Sequence, residues 1–146
     1  MTITICGSMQ FYQKMLDVNK QLKSFGYTVY VPSGAYDINK NEAFKDTDEE
    51  KTLMKVEYDV IREHFQYISK SDAILVVNYE KKGIPGYVGG NTFLEMGLAF
   101  WHNIPIFLLN PVPEMDYVTE MKALQPIVLY GDLSAISAFF SSESTI

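Results

Sequence analysis

Residues 71–109 decide the fold of this chain: SDAILVVN (71–78), YEKKGIPGYVGG (79–90), NTFLEMGLAFWHN (91–103) and IPIFLL (104–109). Two apolar runs, 73–77 and 106–109, flank a glycine-rich loop and a segment with helical spacing. This order predicts a strand, a loop, a helix and a second strand parallel to the first. In such a unit the loop and the helix start lie at the carboxyl edge of the sheet, where ligands bind.

The rest of the chain continues the alternation of strands and helices. Polar, turn-forming residues at 33–50 predict a loop over one edge of the site. Parallel neighbours need crossover connections, and these are right-handed. We therefore expect one α/β domain over residues 1–146, a doubly wound, flavodoxin-like or Rossmann-like sheet of five parallel strands in the order 2-1-3-4-5 with helices on both faces. The further strands are predicted at 2–5, 28–31 and 127–129, and the further helices at 8–25, 49–69, 117–124 and 133–140.

Composition narrows the classes of partner. Twelve Lys and Arg against eighteen Asp and Glu give a net charge of −6, which argues against nucleic acid or an anionic membrane. No apolar stretch approaches the roughly 20 residues that span a bilayer. The single cysteine, Cys6, excludes an internal disulfide and fits the reducing cytoplasm. We expect a small-molecule ligand, and the ten Tyr and nine Phe provide surfaces on which subunits can pair.

Glu95 is the first candidate for chemistry. It lies among apolar residues, and no Lys or Arg occurs between Lys82 and Lys122. Burial disfavours its charged form, whereas a nearby helix N-terminus favours it. The alternative is a capping box, in which Thr92 is the N-cap and Glu95 returns to its backbone N–H. Spacing alone supports the two interpretations equally.

Two loops supply candidate ligand contacts. In the first, Gly7 allows close approach of the backbone, and Ser8 either hydrogen-bonds a ligand or caps the following helix. Cys6 is more simply a core residue than a nucleophile. The second loop has four glycines in nine positions, 83–91. There Gly89-Gly90 either present N–H groups to an anion or sugar hydroxyl, or only permit positive φ.

His64 and His102 are the two histidines. His64 lies on the helix before the central strand, while His102 lies at a helix end, where an interaction with the helix dipole is its simplest role. Neither has metal-ligand spacing to another His, Cys or carboxylate. We therefore expect no metal and no cofactor.

Read together, four motifs resemble the nucleoside 2-deoxyribosyltransferase superfamily, which includes the 2′-deoxynucleoside 5′-phosphate N-hydrolases. The motifs span about residues 3–130: ICGSM, SDAILVVN, the glycine-rich loop with NTFLEMGLA, and IPIFLLNP. The resemblance implies that Glu95, before Gly-x-Ala, is the nucleophile that attacks C1′ of a nucleoside or nucleotide and forms a glycosyl-enzyme. The residues expected to contact the substrate are Cys6, Gly7, Ser8, Asn78, Gly89, Gly90, Asn91, Tyr117 and Thr119.

The sequence departs from the family pattern at several positions. His64 stands where the N-hydrolases carry Asp, and it can replace that acid because it protonates near neutral pH. Asn78 stands where an acid is common, and the first loop lacks the Arg of phosphate-binding members. In the family a neighbouring subunit commonly completes the site with a hydroxyl, which Tyr117 or Thr119 could supply.

We therefore predict a cytoplasmic enzyme, a homodimer or higher homo-oligomer, that acts as a glycosidase (hydrolase) or deoxyribosyltransferase in nucleotide metabolism, with Glu95 and His64 as catalytic residues. The main alternative is a non-catalytic nucleotide-binding sensor or interaction module on the same fold, because His64 and Asn78 replace acids. An enzyme of another doubly wound family is the third interpretation.

Overall fold

The structure, a computed structural model, describes the backbone of residues 1–32 and 47–143 and the side chains of residues 1–32 and 58–142. The predicted loop at 33–50 therefore lies mostly outside the described residues, as does the end of the C-terminal tail. The assignment of residues 1–146 to one domain stays a prediction.

Within the described ranges, five strands alternate with five α-helices, as the sequence predicts. The strands are β1 (Thr2–Cys6), β2 (Thr28–Tyr30), β3 (Ala73–Val76), β4 (Ile106–Leu108) and β5 (Ile127–Val128). The helices are α1 (Tyr12–Ser24), α2 (Thr47–Ser69), α3 (Gly90–Trp101), α4 (Val118–Ala123) and α5 (Ala135–Glu143). The predicted helix over 8–25 begins as a 3₁₀ turn, Met9–Phe11. None of the described helices is long and apolar enough to cross a membrane.

The strands form a parallel sheet in the order β2-β1-β3-β4-β5, which confirms the predicted topology. From β1 the chain adds β2 on one side and β3 on the other, so the order of strand addition reverses between the parallel neighbours β1 and β3. At their carboxyl ends Cys6 pairs with Val76. In doubly wound folds the crevice at this reversal binds ligands. The fold therefore directs attention to the residues that follow β1 and β3.

Alternate residues of each strand pack on opposite faces of the sheet. Ile3 and Ile5 of β1 belong to one core cluster, with residues of α1 and α5. Cys6 belongs to the other cluster, with residues of α2, α3 and α4. The helices therefore cover both faces, as predicted, and Cys6 points toward α2 and α3.

Truncation of Phe107 should destabilise the fold strongly. Phe107 is fully buried in β4 and makes edge contacts with Phe139 and Phe140, at ring-centroid distances of 5.3 and 6.1 Å. We expect Phe107→Ala to lower the free energy of unfolding in urea by about 3–5 kcal/mol. Phe25→Ala is the matched control, because Phe25 is 51% exposed. Equal losses in the two variants would contradict this account of the core.

Candidate active site

Cys6, His64 and Glu95 lie together at the carboxyl edge of the sheet. Cys6 ends β1, His64 lies near the end of α2, and Glu95 lies in α3. The thiol sulfur, a ring nitrogen and a carboxylate oxygen all lie within 4.8 Å of one another. The three residues are 0%, 4% and 4% exposed. We call this buried cluster the triad.

The start of α3 determines which way Glu95 points. Gly89, in an extended conformation, is the N-cap, and no side chain caps the helix. Glu95 is therefore the sixth residue of α3, too far along to return to the N-cap, and the capping-box interpretation is wrong. The buried residues Thr92, Glu95, Met96 and Ala99 instead follow the helical period. Glu95 thus occupies a position on the inner face that an apolar residue would normally fill.

His64 connects Glu95 to the backbone of β1. Its Nδ1 lies 2.9 Å from Oε2 of Glu95, and its Nε2 lies 3.0 Å from the carbonyl oxygen of Ile5. A carbonyl only accepts, so Nε2 must carry a hydrogen. When Nδ1 also carries a proton, His64 is positively charged and pairs with the carboxylate. The Nδ1–Oε2 distance is that of an ion pair, although Oε2 receives no well-aligned hydrogen bond.

The contact with Glu95 makes His64 easier to protonate. Burial alone would lower the pKa of His64, but the short contact with the Glu95 carboxylate and its negative charge outweigh burial. The Ile5 carbonyl and the charge of Glu63 add to the effect. The net result is a pKa of His64 above its ordinary value of 6.5. His64 therefore keeps its second proton to a higher pH than an ordinary histidine does.

This pair should make stability depend on pH. Because the pKa of His64 is raised on folding, its stabilisation is complete below pH 6.5 and is lost as the pH rises through the higher folded-state pKa. We expect the free energy of unfolding of the wild type to fall as the pH rises above the ordinary His pKa of 6.5 and through the raised pKa of folded His64. The control is the double variant His64→Gln, Glu95→Gln, measured by urea denaturation at each pH. A parallel fall in both proteins would contradict the ion pair.

Cys6 completes the triad as a protonated thiol. Burial raises the pKa of Cys6 well above its usual value, and the charge of Glu95 together with a thiol–carboxylate hydrogen bond raises it further. A protonated thiol is a poor nucleophile. Cys6 is a core residue, as its position in the sequence indicates, but its sulfur faces the candidate chemistry.

The loop after β1 binds to the loop after β3. The hydroxyl of Ser8 accepts a hydrogen bond from Lys81 Nζ at 3.0 Å. It also accepts a longer one of 3.4 Å from the backbone N–H of Gln10, which makes Ser8 the N-cap of the 3₁₀ turn. A Cβ on Gly7 would lie 2.9 Å from the Val77 side chain, so Gly7 is needed for close packing of the two loops. Lys81 is a site residue that the sequence analysis missed. Its signal was the Lys81-Lys82 pair that begins the loop.

Asn78 is hydrogen-bonded to the loops that surround it. It is fully buried, and its Nδ2 donates to the carbonyls of Asn110, Gly86 and Pro111 at 2.9, 3.2 and 3.3 Å. Its Oδ1 accepts from the backbone N–H of Asn110 at 2.9 Å. The side chain therefore joins the loops after β3 and β4, and its contact with a substrate stays a prediction.

The remaining predicted contacts surround the start of α3. Gly89 and Gly90 form its N-terminus, and the exposed Asn91 follows them. The Tyr117 ring stacks on Phe93 with centroids 4.8 Å apart, and its hydroxyl donates to the carbonyl of Val88. Tyr117 thus binds the glycine-rich loop of its own chain, whereas Thr119 is exposed on α4. Contact of either residue with a neighbouring subunit stays a prediction.

A cavity of about 570 Å³ lies between the loops that follow β3 and β4. Its described lining includes the carboxylates of Glu80 and Glu114 but no His, Lys or Arg, and none of the triad residues. Both glutamates are exposed to solvent, and Glu80 accepts a hydrogen bond from the backbone N–H of Gly83 in its own loop at 2.9 Å, whereas the groups of the triad are buried and contact one another. The triad is therefore the better candidate for chemistry.

Comparison with known proteins supports the fold. No protein-family model matches the sequence, and no curated protein matches it. Among solved structures, a 2-deoxyribosyltransferase from Bacillus psychrosaccharolyticus is similar, with a TM-score of 0.50, 15% identity and coverage of 76% of this chain and 73% of that chain. A conserved protein from Enterococcus faecalis V583 has a TM-score of 0.45 and 16% identity over 85% of this chain and 74% of its own. The chain thus has a nucleoside 2-deoxyribosyltransferase-like fold.

Proposed function

We propose that this protein is an enzyme that cleaves or exchanges the N-glycosidic bond of a nucleoside or nucleotide, with Glu95 as the nucleophile. The observation that carries the proposal is the buried Glu95 carboxylate, which points inward from α3 and lies 2.9 Å from His64 at the carboxyl edge of the sheet. Burying a carboxylate is costly, and perturbed buried pairs of this kind cluster at functional sites. The similar enzyme from Bacillus psychrosaccharolyticus is described as a biocatalyst for nucleoside synthesis.

In the first step, a carboxylate oxygen of Glu95 attacks C1′ of the sugar and the bond from C1′ to the base nitrogen breaks. The transition state resembles an oxocarbenium ion, which the negative charge of Glu95 stabilises. The base leaves with the bonding electrons and takes up a proton. The product is a neutral glycosyl ester of Glu95. In the second step, water or another base attacks C1′ and releases the carboxylate.

The 2.9 Å contact gives His64 a positioning role in this scheme. The departing base lies on the face of the sugar opposite the nucleophile, because the displacement is in line. His64 contacts the nucleophile and is held through Nε2 by the carbonyl of Ile5, so it lies on the face of the sugar away from the departing base. It orients the Glu95 carboxylate, so the proton for the base comes from another group or from water. This differs from the acid role that the resemblance implies for His64.

The location and the oligomeric state in the proposal rest on composition and on exposed side chains. The negative net charge of −6 and the single cysteine support a cytoplasmic enzyme that acts on small molecules. The exposed Leu94, Phe100 and Trp101 on α3 support a homo-oligomer, because large apolar side chains of this kind are common at subunit contacts.

The test is a panel of ribo- and deoxyribonucleosides with their 5′-monophosphates, incubated with the purified protein. Released base is measured by liquid chromatography, with and without a second base as acceptor. We expect release from at least one member of the panel. Transfer to the added base identifies a transferase, whereas release without transfer identifies a hydrolase.

A binding module without catalysis is the second candidate. It is favoured by Asn78, which stands where the family that this sequence resembles often has an acid. The amide of Asn78 donates its hydrogen bonds to loop carbonyls. Calorimetry with the same panel distinguishes the two functions. Saturable binding without any base release supports the module and contradicts the enzyme.

A further inference from the structure

We propose that Cys6, His64 and Glu95 also form a site for a borderline-soft divalent cation, for which Zn²⁺ is the best match. The expectation of no metal rested on local spacing, whereas these donors come from β1, α2 and α3. Thiolate, imidazole and carboxylate are the three side-chain ligands that zinc takes in proteins. Three protein ligands also leave a fourth position for water or another ligand.

The distances within the triad suit a tetrahedral ion. Zinc bond lengths of about 2.0–2.3 Å place neighbouring ligand atoms about 3.3–3.6 Å apart. The three donor atoms already lie within 4.8 Å of one another, with the His64–Glu95 pair at 2.9 Å. Ligation therefore requires movements on the order of an ångström or less, which side-chain rotation can supply.

His64 is already oriented as a metal ligand. Its Nε2–H points to the carbonyl of Ile5 at 3.0 Å, which leaves Nδ1 directed at the other two donors. Ligating histidines usually donate their second ring N–H to a carbonyl or carboxylate in this way, and that hydrogen bond fixes the tautomer. The backbone of β1 thus supplies the outer support that a metal site needs.

Glu95 provides a second observation through the buried oxygen that faces His64. Its Oε2 is buried in a residue only 4% exposed, yet it receives no well-aligned hydrogen bond. A buried polar atom of this kind requires an explanation, and a bound ion is one. Zn²⁺ with one thiolate, one carboxylate and a neutral imidazole has a net charge of zero, which suits a buried site.

Metal binding and glycosyl transfer would exclude each other, because both use the Glu95 carboxylate. This regulatory consequence rests on the proposed function, whereas the binding of the cation does not. Zn²⁺ would then act as an inhibitor that blocks the nucleophile.

The experiment uses the full chain, stripped with a chelator and titrated with Zn²⁺. We expect one Zn²⁺ per chain after gel filtration, and X-ray absorption should show one sulfur ligand with nitrogen and oxygen ligands. Co²⁺ in place of Zn²⁺ should give thiolate-to-metal charge-transfer absorption. Cys6→Ser and Glu95→Gln should weaken binding by a factor on the order of 10² or more. His102→Asn, which changes the exposed histidine, should bind as the wild type does.

The outcomes separate this proposal from the proposed function. Absence of stoichiometric binding, a metal environment without sulfur, or equal affinity in Cys6→Ser and wild type overturns the site. The first two readouts use the wild type alone, so they do not depend on whether a variant folds. Failure of the metal-free protein to release base contradicts the enzyme but leaves the metal result intact. Base release unaffected by saturating Zn²⁺ overturns the competition.

Discussion

Glu95→Gln should reduce base release by a factor on the order of 10³ or more, because the amide cannot supply the anionic nucleophile. Gln has nearly the shape of Glu, so its side chain fits the same space beside His64. The variant also removes a buried charge. We therefore expect a folded protein with intact circular dichroism that lacks turnover.

Glu120→Gln is the matched control, since this exposed carboxylate on α4 lies outside the triad. It should retain the wild-type rate. A stronger readout is the residue to which the sugar becomes attached. The wild-type protein is quenched during turnover and digested, and the modified peptide is identified by mass spectrometry. The added mass should lie on the peptide that contains Glu95. An adduct elsewhere, or wild-type turnover in Glu95→Gln, refutes Glu95 as the nucleophile.

His64→Asn should reduce kcat/KM by about 10²-fold, with the larger loss on the acidic side of the pH profile. The reason is that the protonated imidazole of His64 holds the Glu95 carboxylate in place, and this form is lost as the pH rises through the raised pKa of His64. The wild-type rate should therefore fall on the alkaline side, whereas the variant has no such group to lose. A merely structural role for His64 would lower the rate equally at every pH. The shape of the profile therefore separates positioning from folding.

His102→Asn serves as the matched histidine control, because His102 is exposed at the end of α3. It should leave both the rate and its pH dependence unchanged. Added imidazole should partly restore the rate of base release by His64→Asn. A His64→Asn profile with the wild-type shape would show that protonated His64 does not hold Glu95 in position.

The topology could be predicted because its signals are local. Apolar runs such as 73–77 are bounded by turn residues, and the amphipathic period of 49–69 is long. The two-residue strand β5 was found because the proline before it and the glycine turn after it mark its ends. Alternation of strands and helices then left few topologies to consider.

The site was harder to predict, because it depends on contacts between distant segments. Whether Glu95 caps α3 or faces the sheet depends on whether the helix begins at Thr92 or at Gly90, and helix ends are the least certain feature of a sequence pattern. The contact of His64 with Glu95 and the link from Lys81 to Ser8 depend on how elements pack. Asn78 was placed correctly at the strand end, but its hydrogen bonds depend on the neighbouring loop.

The end of β1 carries a folding consequence. Ile5 offers its carbonyl to His64, and the next residue, Cys6, offers its thiol to Glu95. A slip of β1 by one residue against β3 would remove both contacts at once and turn Cys6 to the opposite face. The site therefore forms only in the native register, after segments far apart in the chain have docked. On refolding from urea, recovered activity should coincide with the last cooperative step rather than with early helix formation.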